Sequence, residues 1–347
     1  MADQANRTIL VDPAVLEGRV FSSLRDNGAD GPSAEATTRA LMHASRLGVD
    51  SHGVRLVPHY AMVLKGGRVN GLPKRTIRRT AAATAVLDAD DGLGHPAAYQ
   101  GMELACEIAR ESGVGVVGIV RSSHFGAAGA YARAGAEAGF VALCTSNADS
   151  AVTLFDGVAP FHGTNPIAAA APVAGGRPWL LDLATSSIPF NRVLLYRSLG
   201  LGLPADVAVD GEGHPTTEAE LARTLLPLGG AQYGFKGAGL AGLATILSAV
   251  LMGMAVDDQM IQMGSEDIRT PRNMGQFCLA IDPERFGGAA AFGEAMAGYL
   301  DRLREAPARA GREIMAPGDR EWKVEADRMR NGIPVDVDTA RFLQLEG

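Results

Sequence analysis

The stretch Val114–Ala132, VGVVGIVRSSHFGAAGAYA, decides how this chain is read. Val114 to Val120 is a short, β-branched apolar run, closed by Gly113 before it and Arg121-Ser122-Ser123 after it. That length and composition predict a buried strand. From Ala127 the sequence turns Ala-rich with helical period and continues so to about Ala138. Ser122, Ser123, His124, Phe125 and Gly126 fall at the junction. This is the carboxyl end of a strand, where α/β proteins bind their ligands. The imidazole of His124 titrates near neutrality, as an acid–base group must. Capping the helix, or satisfying a backbone carbonyl, is the plainer role and stays open on the junction alone.

Working outward, residues 84–88 predict a short strand, Asp90–His95 a turn, and Ala97–Ser112 a helix leading into the central strand. Further strands are expected at 139–145, 167–171, 179–183 and 275–281. Towards the N-terminus a helix is expected over 8–26 and another from Ser33, as N-cap, to Leu47. A third begins at Asp50 or Ser51 and is kinked or restarted by Pro58. If it is continuous, His52, Arg55 and His59 share one face. Such a stripe suits an anion grip and a solvated surface equally. Lys65–Pro73 and 199–230 read as loops. A long apolar helix starts near Gly239, an amphipathic one spans Ala289–Glu305, and a charged one starts near Arg320.

The chain has 347 residues, 47% hydrophobic and 20% charged, enough for two lobes or one large α/β unit. A net charge of −7 with scattered basic residues argues against a nucleic-acid partner. Met1–Leu10 is polar and carries no signal pattern. The window Gly237–Val256 is long enough to span a bilayer, but it is rich in Gly and Ala and stands alone, so a buried core helix is expected rather than a membrane span. Three cysteines, Cys106, Cys144 and Cys278, fit no metal or redox spacing. They suit a reducing compartment, the cytosol. No metal motif and no G-x-S-x-G elbow is present, so no metal site is expected and a hydrolase is disfavoured.

Two stretches match G-x-G-x-x-G. Gly113–Gly118 lies inside the apolar strand, where no phosphate loop can form. Gly237–Gly242 reads as the opening of a helix, but no apolar strand precedes it and no room for a second strand follows. An ordinary Rossmann unit is therefore not expected. Lys236, beside those glycines, is left either as a phosphate or ribose ligand or as a surface lysine.

Six short motifs occur in order: Asp50-Ser51-His52-Gly53-Val54, Arg121–Gly126, Gly163-Thr164-Asn165-Pro166, Asp182–Ser186, Gly213-His214-Pro215-Thr216-Thr217 and Phe235-Lys236-Gly237. In this combination the chain resembles the type-2 malate/L-lactate dehydrogenase family, over about Leu10 to Gly332. The resemblance implies an NAD(P)-dependent oxidoreductase that moves a hydride between nicotinamide and C2 of a small 2-oxo or 2-hydroxy acid. A cyclic 2-imino acid is the alternative substrate. A non-redox lyase or isomerase using the same histidines, or an inactive binding relative, also stays open.

The resemblance further implies an α/β fold: three α/β/α layers with a mixed, non-Rossmann NAD(P)-binding sheet and helical N- and C-terminal segments. Its parts are a helical substrate and dimerisation part (1–120), a cofactor part (121–288) and C-terminal helices packing back on the first part (289–347). A homodimer sharing its active sites is implied, and the Leu- and Ala-rich first helices are the expected contact surface. Carried over residue by residue, His124 is the acid–base group, with His52 beside it. Ser51 and Thr164 line the substrate site. Asp182, Leu183, Ala184, Lys236, Pro317, Gly318 and Asp319 contact the dinucleotide, NAD or NADP. One position departs: many members carry the substrate arginine four residues after the first histidine, where this chain has Leu56. Arg55, one residue earlier, is the candidate carboxylate clamp.

Overall fold

A computed structural model describes residues 8–345. In chain order the elements are β1 (Thr8–Val11), α1 (Pro13–Asp26), α2 (Gly31–Arg46), α3 (Val57–Gly66), β2 (Thr76–Ala81), β3 (Thr84–Asp88), α4 (Gly94–Ser112), β4 (Val114–Ser122), α5 (Gly129–Glu137) and β5 (Val141–Ser146). They continue with β6 (Val152–Thr153), β7 (Pro160–His162), β8 (Ile167–Ala171), β9 (Trp179–Leu183), α6 (Phe190–Ser198), β10 (Ala208–Val209), β11 (Thr224–Leu225) and α7 (Gly230–Ser248). The chain closes with β12 (Met274–Ile281), α8 (Ala289–Arg304), α9 (Asp319–Asn331), β13 (Ile333–Asp336) and α10 (Val337–Phe342). Of the polar N-terminal stretch read above, Met1–Arg7 lies outside the described residues.

Seven strands form the central sheet in the order β2-β3-β4-β12-β5-β8-β9. Only β3 and β4 are parallel, joined through α4; every other pair is antiparallel. The sheet is mixed, and no Rossmann unit is present among the described residues. Helices α4 and α5 cover one face and α7 the other. The glycines of Gly113–Gly118 explain this packing. A Cβ on Gly115 would collide with the Ala105 carbonyl of α4, and one on Gly118 with the Met252 sulfur beyond α7. They let helices close on both sides of one strand rather than cradle a phosphate.

The largest core lies between the sheet, α4 and α5, and includes Leu87, Met102, Ile108, Ile119, Phe125 and Tyr131. A second core joins α1, α2 and α3 to β13 and α10, and β1 pairs antiparallel with β13. A small sheet, β10-β11-β6-β7, carries its own cluster with Val193 of α6.

Several expectations need correction. The helix read over 8–26 begins only at Pro13, because Thr8–Val11 pairs as a strand and Asp12 caps the helix through Ala14 N at 2.9 Å. The second helix starts at Gly31, capped by Asp30 rather than Ser33. The third is not continuous. Asp50–His52 and Val54–Leu56 are single 3-10 turns separated by an extended Gly53, and the α-helix starts at Val57. The apolar helix starts at Gly230, so Gly237–Gly242 lies within it and Lys236 does not precede a helix start. Nor is that helix fully buried: Tyr233, Phe235, Leu243 and Ile246 of α7 are exposed, as are Val250 and Leu251 after it. One helical stretch, Gly230–Met252, is long and apolar enough to cross a membrane. One face of α7 packs on β5 and β12.

Candidate active site

His124 follows β4 directly and is held from three sides. Gln276 of β12 donates to the Ser123 carbonyl at 2.8 Å and accepts from the Ser122 hydroxyl at 3.0 Å. The Ser123 hydroxyl donates to Gly92 O at 2.9 Å. The ring itself meets Tyr60 of α3, whose hydroxyl lies 2.7 Å from His124 Nδ1. Tyr60 in turn packs edge-on against the buried His95, with ring centres 4.8 Å apart.

His52 sits on the first 3-10 turn. That turn is staked by Arg328 of α9, which pairs with Asp50 at 2.9 Å, and by the Ser45 hydroxyl, which accepts from Val54 N at 3.0 Å. A Cβ on Gly53 would collide with that same hydroxyl. Ser51 Oγ lies 2.9 Å from His52 Nδ1. The His52 and His124 rings stack with centres 5.8 Å apart and planes inclined by 27°.

The two histidines share one wall of a cavity of about 510 Å³, a size typical of small-molecule sites. Burial lowers the pKa of His52. Burial lowers that of His124 well below its ordinary value, and the positive charge His52 would carry, with Arg272, adds to this. Both imidazoles are therefore neutral at pH 7. Burial raises the Tyr60 phenol, so its hydroxyl keeps its proton. It can donate to His124 Nδ1 or, by rotating, accept from it. The two arrangements leave the opposite ring nitrogen as donor or acceptor towards the cavity.

Residues 125–128, entering α5, line the same cavity, with Asp182 beside them. Asp182 ends β9 and takes the Gly129 amide at 2.9 Å on Oδ2. A Cβ on Gly129 would press against this carboxylate, so glycine is required for the contact. The side chain is surrounded by protein yet open to the cavity. Burial, helped by the charge of Glu321 and opposed by the Gly129 amide, pushes its pKa up to about 6. Thr164 enters from the loop before β8. The adjoining Asn165 accepts from Ala148 N at 2.9 Å and donates to the buried Asp257 at 2.6 Å. Pro317 and Gly318 close the far end, tied to Leu180 N through Pro317 O at 3.2 Å.

Of the residues singled out from sequence, His124, His52, Ser51, Thr164, Asp182, Ala184, Pro317 and Gly318 line this one cavity. Four do not. Leu183, at the end of β9, is not among the residues lining the cavity. Asp319 instead anchors the preceding turn, accepting from Ala316 N at 2.9 Å and pairing with Arg304 at 2.8 Å. Lys236 lies within α7, with its ammonium 5.3 Å from the Tyr233 ring centre. Arg55 is exposed and opens into a separate groove with Asp50, Leu199 and Asp336. The break at Gly53 turns it away from His52, so the shared face expected of a continuous helix does not exist. His214 stands on an exposed loop beside Asp210 and Glu212. Tyr60, Asn147 and Arg272 had not been singled out. Tyr60 could not be phased to His52 because the chain between them is not helical.

The cavity therefore passes the N-terminal end of α5, where the Asp182 carboxylate already accepts from the first amide of the helix.

The family model described as malate/L-lactate dehydrogenase matches residues 11–344. Ureidoglycolate dehydrogenase (NAD(+)) of Escherichia coli K12 is 32% identical over 329 residues, covering 94% of this chain and 93% of the relative. The (2R)-3-sulfolactate dehydrogenase (NADP(+)) of Chromohalobacter salexigens is 36% identical over 317 residues, covering 90% of each. Among solved structures, malate dehydrogenase from Entamoeba histolytica superposes with a TM-score of 0.91 at 27% identity, covering 98% of this chain and 97% of that one. The delta1-piperideine-2-carboxylate reductase of Pseudomonas syringae pvar. tomato superposes at 0.86 with 30% identity, covering 97% and 99%.

Proposed function

The chain belongs to the malate/L-lactate dehydrogenase family and is an NAD(P)-dependent dehydrogenase acting on a CH–OH group; on that premise we propose that it interconverts a small 2-oxo acid and its 2-hydroxy acid, with His124 as the acid–base residue. The observation that carries this reading is the stacked His52–His124 pair on the wall of the cavity that also receives Asp182, Pro317 and Gly318. The nicotinamide, when bound, supplies or accepts the hydride at C2. Everything else falls to the protein. Asp182 and the Pro317–Gly318 turn hold the dinucleotide, and Ser51 and Thr164 orient the substrate.

In reduction, His124 gives a proton to the oxygen on C2; in oxidation it removes that proton. Its depressed pKa leaves the ring unprotonated at pH 7, the form the second task starts from. For the first, an anionic substrate offsets the positive charges that depress the imidazole, and proton uptake accompanies binding. Tyr60 follows by rotating its hydroxyl. His52, stacked alongside, hydrogen-bonds the substrate and helps exclude water.

The exposed apolar face of α7 supports a homodimer built on this helix rather than on α1 and α2. A run of large apolar side chains of this kind marks an interface. Light scattering after gel filtration should give twice the chain mass, and Leu243→Glu should return the monomer.

The reading is tested by following absorbance of the reduced nicotinamide with NADH and NADPH separately. The panel holds 2-oxo acids bearing one or two acidic groups, a cyclic 2-imino acid, and a simple ketone. Oxidation of either cofactor with a 2-oxo acid, and none with the ketone, is the expected result. Turnover of the imino acid alone, or no oxidation with any member, overturns it.

A further inference from the structure

Arg68 and Arg272 are buried, 3% and 5% exposed, and neither is fully matched. Arg68 Nη1 donates to Met263 O at 3.3 Å. Arg272 Nε donates to Ile261 O at 2.8 Å, and its Nη2 pairs with Asp149. Nε and Nη2 of Arg68 and Nη1 of Arg272 have no acceptor among the described residues. The two guanidiniums are thus tied to carbonyls two residues apart, with the Asp149 carboxylate taking the Met263 amide between them at 3.0 Å. His59 completes the cluster. Burial, then Arg272 and Arg68, push it down to about 4, so it adds no charge at pH 7. Asp267, on the covering segment, is exposed, and its carboxylate accepts from the Arg269 and Thr270 amides. Two buried cations face one half-buried carboxylate, Asp149, with Asp267 acting on Arg68 from the exposed side, and three donor nitrogens remain unused. Unmatched buried charge of this kind is strongly unfavourable unless something else supplies the acceptors.

The cluster adjoins the reacting groups. His59 precedes Tyr60, whose hydroxyl touches His124. Ala148 and Met274, flanking Asp149 and Arg272 in the chain, line the cavity. Arg272 is close enough to act electrostatically on both Tyr60 and His124. Arg55, by contrast, opens into another groove.

Building on the function proposed above, we propose that Arg68 and Arg272, the latter oriented by Asp149, form the seat of the substrate's acidic group, a carboxylate or a sulfonate. The free edges of two guanidinium forks offer the planar array of N–H donors that such oxyanions accept. The seat is sealed by the 257–272 segment, whose Ile268 carbonyl takes the Arg68 amide at 2.9 Å. Filling it requires that segment to part and then close over the anion.

The test uses the full-length protein saturated with NADH or NADPH, whichever it binds, and two probes, oxalate and methanesulfonate, read by thermal unfolding. Oxalate should raise the unfolding temperature of the unsubstituted protein. Protection by methanesulfonate as well would extend the seat to sulfonates, and protection by oxalate alone would confine it to carboxylates. Arg68→Met removes an unmatched charge while keeping the stem. It should unfold at a higher temperature than the parent without oxalate, yet gain nothing from oxalate. Its KM for a 2-oxo acid should rise about ten- to a hundredfold, the worth of hydrogen bonds to a charged group, and more than kcat falls. Arg68→Lys should restore part of the oxalate response.

An unchanged oxalate gain and KM in Arg68→Met overturns the seat and leaves the free donors to water. Should Arg68→Met not fold, Arg272→Lys decides: it keeps the charge and loses the fork, and an unaltered KM and oxalate response again overturns it. Arg68-dependent protection by oxalate without turnover of any 2-oxo acid would support the seat while removing the proposed reaction.

Discussion

His52 and His124 face each other at 5.8 Å, but unlike parts of the molecule hold them. His124 stands at the end of a nine-residue strand, over the main core, with Tyr60 on its ring and Gln276 on its backbone. His52 stands on a single 3-10 turn whose ring partner is the adjacent Ser51. A ring that must exchange a proton in one fixed geometry gains from the first kind of support. A ring that only meets a substrate tolerates the second. This difference in support is the reason for proposing the chemistry for His124 and the contact for His52.

Substitutions can break that assignment. His124→Ala should lower kcat by roughly a hundred- to ten-thousandfold, the usual worth of a positioned acid–base group. Cofactor affinity, read by fluorescence titration, should change far less. If a folded His124→Ala protein turns over near the parental rate, the roles are reversed or shared.

His52→Ala should cost about ten- to a hundredfold in kcat/KM, chiefly through KM, as expected for the loss of a hydrogen bond to an anionic substrate. A larger loss in kcat than for His124→Ala would invert the comparison.

Tyr60→Phe sharpens it further. Losing the hydroxyl leaves Nδ1 of a buried ring without its partner, and about 1–3 kcal/mol is the usual cost of such an orphan. We expect a fall of about tenfold in kcat, with KM nearly unchanged. Equal losses in KM and kcat would place Tyr60 on the substrate instead.

The pH profile gives the smallest effect. Oxidation needs His124 unprotonated, and its pKa in the folded protein lies well below 6.5. The proton is therefore still absent at pH 6.5, and it returns only as the pH falls through the depressed value. kcat/KM for oxidation should thus stay level down through pH 6.5 and decline only below it. An acid limb centred at 6.5 or above would show that the ring is not desolvated as described.

The same contrast runs through what could be read from the sequence. The β4–α5 junction was legible because its periodicity switches within a few residues, and the strands at 84–88, 167–171 and 179–183 were legible for the same reason. The His52 region was not. Pro58 is compatible with a helix start, and nothing local announces that Gly53 must be extended to clear Ser45. β1 and β13 pair across nearly the whole chain, and β6, β10 and β11 span two residues each, too short for any pattern. Asp182 and the Pro317–Gly318 turn came from family resemblance rather than from period. Arg68 lies in a stretch that reads as loop and Arg272 in one without any pattern, and only their burial distinguishes them from surface arginines.

The central sheet has a further consequence, for how the protein is made. β4 and β5 follow one another in sequence, with only α5 between them, yet they are not neighbours: β12 lies between them, bonded to both along its length. A chain growing from the ribosome therefore completes β2-β3-β4 and β5-β8-β9 as two three-stranded halves before the strand that joins them exists. Until Met274–Ile281 emerges, each half presents an unpaired edge at what will become the middle of the sheet. Such edges invite pairing with other chains, and pairings so distant in sequence close slowly. A nascent chain that stalls before Met274 is held at its most adhesive, with the Gln276 tie behind His124 still unmade.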